Sequence, residues 1–172
     1  MAKLEIIIAP DPRLKSKCKP VEKVDAATAK LMADMLETMY DAPGIGLAAP
    51  QVGVAKRILV VDPALDKAPP APIKMANPEI IWRSDEKKVH EEGCLSLPQE
   101  YDMVERPDKI RVRYLDENNK PQEIEADGLL SVVIQHELDH LEGTLFVDHI
   151  SSLKRGMILR RLTKQKKQGR TL

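Results

Sequence analysis

The chain has 172 residues, of which 42% are hydrophobic and 31% charged, and its basic and acidic residues are equal in number. This size predicts one globular domain over residues 1–172 with a sizeable core. No apolar run approaches a membrane span, and Lys3, Glu5 and Pro10 interrupt the run that could otherwise form a signal peptide. The chain has two cysteines, a number that argues against a disulfide framework, and we expect both thiols to be reduced. We therefore expect a cytoplasmic protein that binds neither membrane nor DNA.

In chain order, the first half is predicted as strands around one helix. Residues 4–8 form a β-branched run that ends at Pro-Asp-Pro, which indicates a strand. Asp25 is a typical N-cap, and apolar residues then recur at helical spacing to about Tyr40. Further strands are predicted over 57–61, over 73–82 with a break at Pro78, and over 87–90, with a loop over 62–72.

The second half predicts a hairpin and two helices. Residues 110–115 alternate between apolar and polar side chains and pair with 122–125 as a hairpin. A helix capped by Asp127 and ended by Gly143 follows, and a last helix begins near Ser151 with a sparse apolar face. That face comprises Leu153, Met157 and Leu162. Strands precede helices without βαβ alternation, so we predict an α+β fold whose mostly antiparallel sheets pack around the helix after Asp127.

This central helix carries His136, Glu137 and His140. Two histidines four residues apart lie on one helical face and can bind one metal ion, while Glu137 can handle the protons of a water molecule. The alternative is a pair of core histidines, each satisfied by a hydrogen bond. The glutamate in the second position and the apolar character of the helix favour the metal site.

A catalytic metal needs about three protein ligands, so a further ligand must come from outside the helix. Cys94 is the best third candidate because its thiolate is a strong, charged ligand. His90 and His149 are the alternatives. Two other classes of function remain open, a zinc endopeptidase and a protein with a closed structural metal site.

The segment over residues 44–51 reads Gly-Ile-Gly-Leu-Ala-Ala-Pro-Gln. Its glycines allow close backbone approach to a ligand or to another segment. A dinucleotide fingerprint is excluded because the third glycine is missing. Tight packing and function explain the glycines equally well, and the side-chain amide of Gln51 favours function.

Three segments together resemble those of the peptide deformylases. They are residues 44–51, residues 92–96 (Glu-Gly-Cys-Leu-Ser) and residues 135–140 (Gln-His-Glu-Leu-Asp-His), and their order and spacing match over essentially the whole chain. The chain looks like the bacterial form whose C-terminus is a helix. The resemblance implies a metal-dependent hydrolase that removes the N-formyl group from the N-terminal methionine of newly synthesised polypeptides and releases formate.

The resemblance also implies roles for individual residues. Cys94, His136 and His140 would hold Fe(II), with Zn, Ni or Co as substitutes, and Glu92 would pair with Arg106 to brace the cysteine. Glu137 would transfer protons, and the Gln51 side chain and the Leu95 backbone N–H would stabilise the oxyanion. The pocket for the substrate methionine would comprise Ile45, Gly46, His90, Leu129, Val132 and Val133. His90 departs from the aliphatic residue that the family leads us to expect.

The C-terminal residues 151–172 contain eight basic residues and no acidic one. Such a segment suits an anionic partner, and the resemblance implies that N-formylmethionyl nascent peptides are the substrate and that the ribosome is a partner of this helix. The match is one of composition. A solvated helix that packs lightly on the core is the alternative.

Overall fold

The computed structural model describes residues 3–64 and 69–168. Its strands are β1 (Gly46–Ala48), β2 (Ile58–Val61), β3 (Ile73–Arg83), β4 (Lys87–Cys94), β5 (Leu97–Pro107), β6 (Ile110–Leu115) and β7 (Pro121–Ala126). Its α-helices are α1 (Ala26–Asp41), α2 (Gly128–Leu141) and α3 (Ser152–Lys167). Within these ranges, no helix has the length and apolar character needed to cross a bilayer.

The strands form two antiparallel sheets. The larger has five strands in the order β1-β2-β3-β6-β7, and β4 and β5 form a separate two-stranded sheet. The hairpin predicted between residues 110 and 125 is the β6–β7 pair, in which Val112 lies opposite Ile124. The predicted α+β class is confirmed.

The larger sheet lies between α1 and α2, as the side chains of β2 show. Successive residues of a strand point to opposite faces. Ile58 and Val60 pack with the methionines of α1, whereas Leu59 and Val61 pack in the core that α2 completes. Since all four side chains are fully buried, β2 is an internal strand and α2 is a central helix.

The ends of α1 and α2 follow from local chemistry. The Asp25 carboxylate accepts a hydrogen bond from the Thr28 N–H at 2.9 Å, which confirms the predicted cap of α1. Asp127 holds the N-cap position of α2 without a capping bond from its side chain. Beyond α2, Gly143 has a φ of +77° and lies against the carbonyl of Lys15, so a side chain there would be strained and would collide.

Two predictions about strands were wrong. Residues 4–8 form no strand, because their backbone bonds go to different partners: Leu4 N–H to the Thr38 hydroxyl and Ile7 N–H to the Gln51 carbonyl. β3 is continuous through Pro78, because a shift in register against β6 accommodates the proline. The apolar periodicity also failed to predict β5, most of whose side chains are not buried hydrophobic groups.

The apolar face predicted for the last helix was right for Leu162 and wrong for Leu153 and Met157. Leu153 is 70% exposed and Met157 44% exposed, whereas Ile158 and Leu162 are buried. Ile158 and Leu162 join a core cluster that contains Phe146. The helix therefore packs through its middle and not through its first turn. Residues 169–172 of the predicted basic segment lie outside the described residues.

Candidate active site

The structure brings Cys94, His136 and His140 together. Cys94 ends β4, and the two histidines lie one turn apart on α2. One ligand atom from each residue lies within 4.8 Å of the others, and Cys94 Sγ is 3.3 Å from His140 Nε2. Among the described residues, neither His90 nor His149 belongs to this group. The sequence-based choice of Cys94 over these two agrees with the geometry.

The chemistry of these donors fits a divalent metal ion. A thiolate and two imidazoles are ligands that transition metals prefer. His136 Nδ1 is 2.9 Å from Glu92 Oε1, which leaves Nε2 as the ligand atom. Burial lowers the pKa of His140 well below its usual value, which keeps this ring neutral, as a ligand must be. Burial also disfavours the charged form of His136, but the neighbouring Glu137, Cys94 and Glu92 raise its pKa well above the usual value, so a metal ion would have to displace a proton from this ring. The described part of the chain contributes three ligands to the group, whereas a closed structural site needs a fourth.

A buried ion-pair network contacts His136 through Nδ1, the ring nitrogen that is not the ligand atom. Arg106 Nη2 donates to Glu92 Oε1 at 2.8 Å, and Arg106 Nη1 donates to Asp139 at 2.9 Å. Burial by itself would raise the pKa of Glu92, but the hydrogen bonds from Arg106 and His136 lower it to about 2. Glu92 is therefore an anion that fixes the orientation of the His136 ring. His149 extends the network to the surface through a 2.8 Å contact with Asp139.

Glu137 has the opposite electrostatic environment. It is 4% exposed, and burial raises the pKa of its carboxyl to about 7. No described residue forms a hydrogen bond with its Oε1 atom. Gly46 of β1 lies so close that a Cβ atom there would collide with Glu137 Oε2 and with Val133. The glycine thus lets β1 form a close wall around this carboxyl.

Gln51 reaches the same place from the turn that follows β1. Its side chain is 1% exposed, and its Oε1 accepts a hydrogen bond from the Ala48 N–H at 2.9 Å. Its Nε2 lies 3.5 Å from Cys94 Sγ. The amide therefore presents its N–H groups towards Cys94 and Ser96.

These groups open into a cavity of about 830 Å³. Its wall includes five of the six residues that the resemblance assigned to the methionine pocket, namely Ile45, Gly46, Leu129, Val132 and Val133. It also includes Gln51 and Leu95, which the resemblance assigned to the oxyanion, and Cys94, His136 and Glu137. His90 is the exception, since it does not line this cavity. It lies on β4 opposite Val104 and four residues before Cys94, which is about 13 Å along a strand at 3.3 Å per residue.

The comparisons with known proteins decide the family. A family model described as polypeptide deformylase matches residues 3–156. The chain belongs to the polypeptide deformylase family. A peptide deformylase from Methylocella silvestris is 54% identical over 165 residues, which cover 94% of this chain and 84% of that relative.

Solved structures of the family have the same fold. A peptide deformylase from Ehrlichia chaffeensis superposes with a TM-score of 0.93 at 40% identity, covering 98% of this chain and 99% of that chain. One from Legionella pneumophila gives a TM-score of 0.90 at 48% identity, covering 99% and 100%. The predicted family and fold are therefore confirmed.

Sequence reasoning singled out neither Ser96 nor Asp139 at this site. Ser96 is fully buried and accepts a hydrogen bond from Gln51 Nε2, while Asp139 completes the network behind His136. Both residues lie inside the segments that carry the family resemblance, 92–96 and 135–140. Their position within those segments was the signal from which the sequence could have assigned them to the site.

The ion pair between Arg106 and Glu92 yields a prediction about stability. Replacing Arg106 with Ala leaves a buried, uncompensated carboxylate, so we expect the free energy of unfolding to fall by about 3–5 kcal/mol in urea titrations at pH 7. The matched control is Arg113→Ala, which removes the exposed pair with Glu79 and should cost about 0–1 kcal/mol.

The pH dependence of this difference follows from the pKa of Glu92. The folded-state pKa, about 2, is below the usual 4.5, so the pair stabilises the fold above that usual value and its contribution disappears as the pH falls towards 2. Equal losses of stability for the Arg106 and Arg113 variants at pH 7 would contradict this account.

Proposed function

We propose that this protein is a metal-dependent hydrolase that removes the N-formyl group from the N-terminal methionine of newly synthesised polypeptides. Residues 1–172 act in this proposal as one catalytic domain in the cytoplasm, where such chains are made. The observation that carries it is the Cys94, His136 and His140 group beside the buried carboxyl of Glu137, at the wall of a cavity, in a chain of the polypeptide deformylase family.

Cys94, His136 and His140 would hold the metal ion, with Fe(II) as the native ion and Zn, Ni or Co as substitutes. A bound divalent ion supplies Lewis acidity, which polarises a carbonyl and lowers the pKa of water. Imidazole and thiolate are both ligands that suit iron and zinc. Metal analysis of protein purified without oxygen identifies the ion, and a protein without bound iron would contradict the choice of Fe(II).

Glu137 transfers the proton in this mechanism. Its carboxylate takes a proton from the attacking water as the water oxygen bonds to the formyl carbon. It then gives the proton to the amine nitrogen as the C–N bond breaks, so that formate and a free N-terminus leave. A pKa of about 7 suits both steps, since the carboxyl is readily found in either protonation state near neutral pH.

Gln51 and Leu95 stabilise the charge that develops on the formyl oxygen. The Gln51 amide lies beside Cys94 Sγ, and Leu95 follows Cys94 directly, so a side-chain N–H and a backbone N–H can converge on one oxygen. Donors held in place before the reaction cost no reorganisation in the transition state.

The apolar part of the cavity binds the methionine side chain. Ile45, Leu129, Val132 and Val133 supply this wall, and the backbone of Ile45 and Gly46 on the β1 side can pair with the peptide. His90 is left out of this pocket because it does not line the cavity.

The pocket predicts a preference among substrates. Formyl-Met-Ala-Ser should have a kcat/KM at least about a hundredfold above that of formyl-Lys-Ala-Ser, because the lysine would bury a charge without a partner. Formyl-norleucine, an unbranched control of similar size, should resemble methionine. Similar values for methionine and lysine would place the first side chain outside this pocket.

The central test of the proposal is formate release from formyl-Met-Ala-Ser by protein loaded anaerobically with Fe(II). Replacing Glu137 with Gln keeps the shape of the side chain and removes its proton transfer, so we expect kcat to fall about 10²–10⁴-fold with metal content unchanged. Absence of formate from the wild-type reaction would refute the proposed function. Near-normal turnover of a fully metallated Glu137→Gln protein would remove Glu137 from the mechanism.

We also propose that α3 binds the ribosome through RNA phosphates. Its exposed Arg160, Lys164 and Lys167 make no ion pair among the described residues. By contrast, Arg161 pairs with Glu100, whose buried carboxylate holds the helix on β5. The helix thus divides into a docked face and a charged face that is free to meet an anionic surface.

Neutralising the charged face tests this proposal without disturbing the docked one. The triple change of Arg160, Lys164 and Lys167 to Gln should weaken ribosome binding. The slope of log affinity against log salt should become shallower by about 0.7–0.9 for each phosphate that the variant no longer neutralises. Activity on a free formyl-tripeptide should not change.

A matched control for this experiment lies elsewhere on the surface. The variant with Arg83, Lys87 and Lys109 changed to Gln has the same net charge as the triple variant of α3, and all three residues are exposed. It should bind ribosomes as the wild type does. Equal weakening in both variants would indicate a general charge effect and would contradict a role for α3.

A further inference from the structure

The side-chain amide of Gln51 is held at both of its ends. Oε1 accepts the Ala48 N–H at 2.9 Å, and Nε2 donates to the Ser96 hydroxyl oxygen at 3.1 Å. Gln51 is 1% exposed and Ser96 is fully buried, so water cannot replace either bond freely. The two contacts come from different parts of the fold, the end of β1 and the turn between β4 and β5.

These contacts determine which way the amide points. A backbone N–H can only donate, so Ala48 requires the carbonyl end of Gln51. The NH₂ end must then face Ser96 and Cys94. Its two hydrogens can be divided between the Ser96 oxygen and the space beside Cys94 Sγ, which is 3.5 Å from Nε2. One N–H thereby donates to the Ser96 hydroxyl, and the other points at Cys94 Sγ, beside which the reacting group would bind.

Ser96 can fix the orientation of the two Gln51 N–H groups because its own backbone is held in place independently of its hydroxyl. Its carbonyl oxygen accepts the Ala9 N–H at 2.8 Å. The next residue, Leu97, is fully buried in the core cluster that contains Phe146. Removing only the hydroxyl therefore releases one end of the Gln51 amide and leaves the anchors of the turn in place.

We propose that Ser96 is a positioning residue for deformylation. Its hydroxyl holds the Gln51 amide so that the second N–H points at the oxygen on which charge develops. The inference rests on the proposed function, since it assigns Gln51 to that oxygen. The formyl oxygen becomes more negative in the transition state than in the bound substrate, so loss of the alignment should lower kcat and leave KM nearly unchanged.

A double-mutant cycle distinguishes a positioning role of Ser96 from a purely structural one. The proteins are wild type, Ser96→Ala, Gln51→Leu and the double variant, each loaded with Zn and checked for metal content and Tm. We expect Gln51→Leu to lower kcat about 10²–10³-fold and Ser96→Ala about tenfold. In the Gln51→Leu background, Ser96→Ala should change kcat by less than about twofold, because the group it positions is gone.

A second measurement does not depend on turnover. In ¹⁵N-labelled, Zn-loaded protein, the Gln51 side-chain amide protons should exchange slowly with solvent in the wild type and at least about tenfold faster in Ser96→Ala, because a buried hydrogen bond protects them. Backbone amides of the 94–97 turn, assigned in the same spectra, serve as the control and should keep their exchange rates. This measurement remains informative if Gln51→Leu does not fold.

The outcomes separate the inference from the proposed function. Equal tenfold reductions of kcat in both backgrounds, a loss of metal in Ser96→Ala, or unchanged exchange of the Gln51 amide would overturn the positioning role while wild-type activity stands. A wild-type protein that releases no formate would instead refute the proposed function, and the role of Ser96 would fall with it.

Discussion

The buried contact of Arg106 with Glu92 is the interaction on which the arrangement of the site depends. It links β5 to β4 within the small sheet, and through Asp139 and His136 it links that sheet to α2. The cysteine ligand lies on the small sheet and both histidines lie on the helix. A metal site shared between two elements needs such a connection, because packing of apolar side chains is not directional enough to fix atoms to within a fraction of an ångström.

The protein interior shifts the pKa values of two buried glutamates in opposite directions. Glu92 receives hydrogen bonds from a cation and an imidazole, so its charge is stabilised and the pKa of its carboxyl falls to about 2. Glu137 is buried, no residue in the described ranges donates a hydrogen bond to its Oε1, and the pKa of its carboxyl rises to about 7. One carboxylate is therefore a permanent anion that orients a ligand, and the other is poised to exchange a proton. The difference comes from partners, since both side chains are buried.

The larger sheet contributes by bringing β1 against α2. β2 is buried on both faces between α1 and α2, which sets the position of its neighbour β1. Gly46 then touches the Glu137 carboxyl, and the turn after β1 delivers Gln51 to Cys94. The larger sheet, α2 and the two-stranded sheet of β4 and β5 each supply residues to the site, and none of them could form it alone.

The sequence by itself determined the features that depend on local spacing. The i, i+4 histidines, the Asp25 cap, the β6–β7 hairpin and the family segments each need only nearby residues to be recognised. The pairing of Glu92 with Arg106 could also be anticipated, though only through the family resemblance. Only the tertiary structure decided the features that depend on partners distant in the chain. Residues 4–8 satisfy their backbone in scattered contacts and so form no strand, and α3 docks through buried side chains that meet the Phe146 cluster. Periodicity reports which face of an element is apolar, but it contains no information about which element will cover that face.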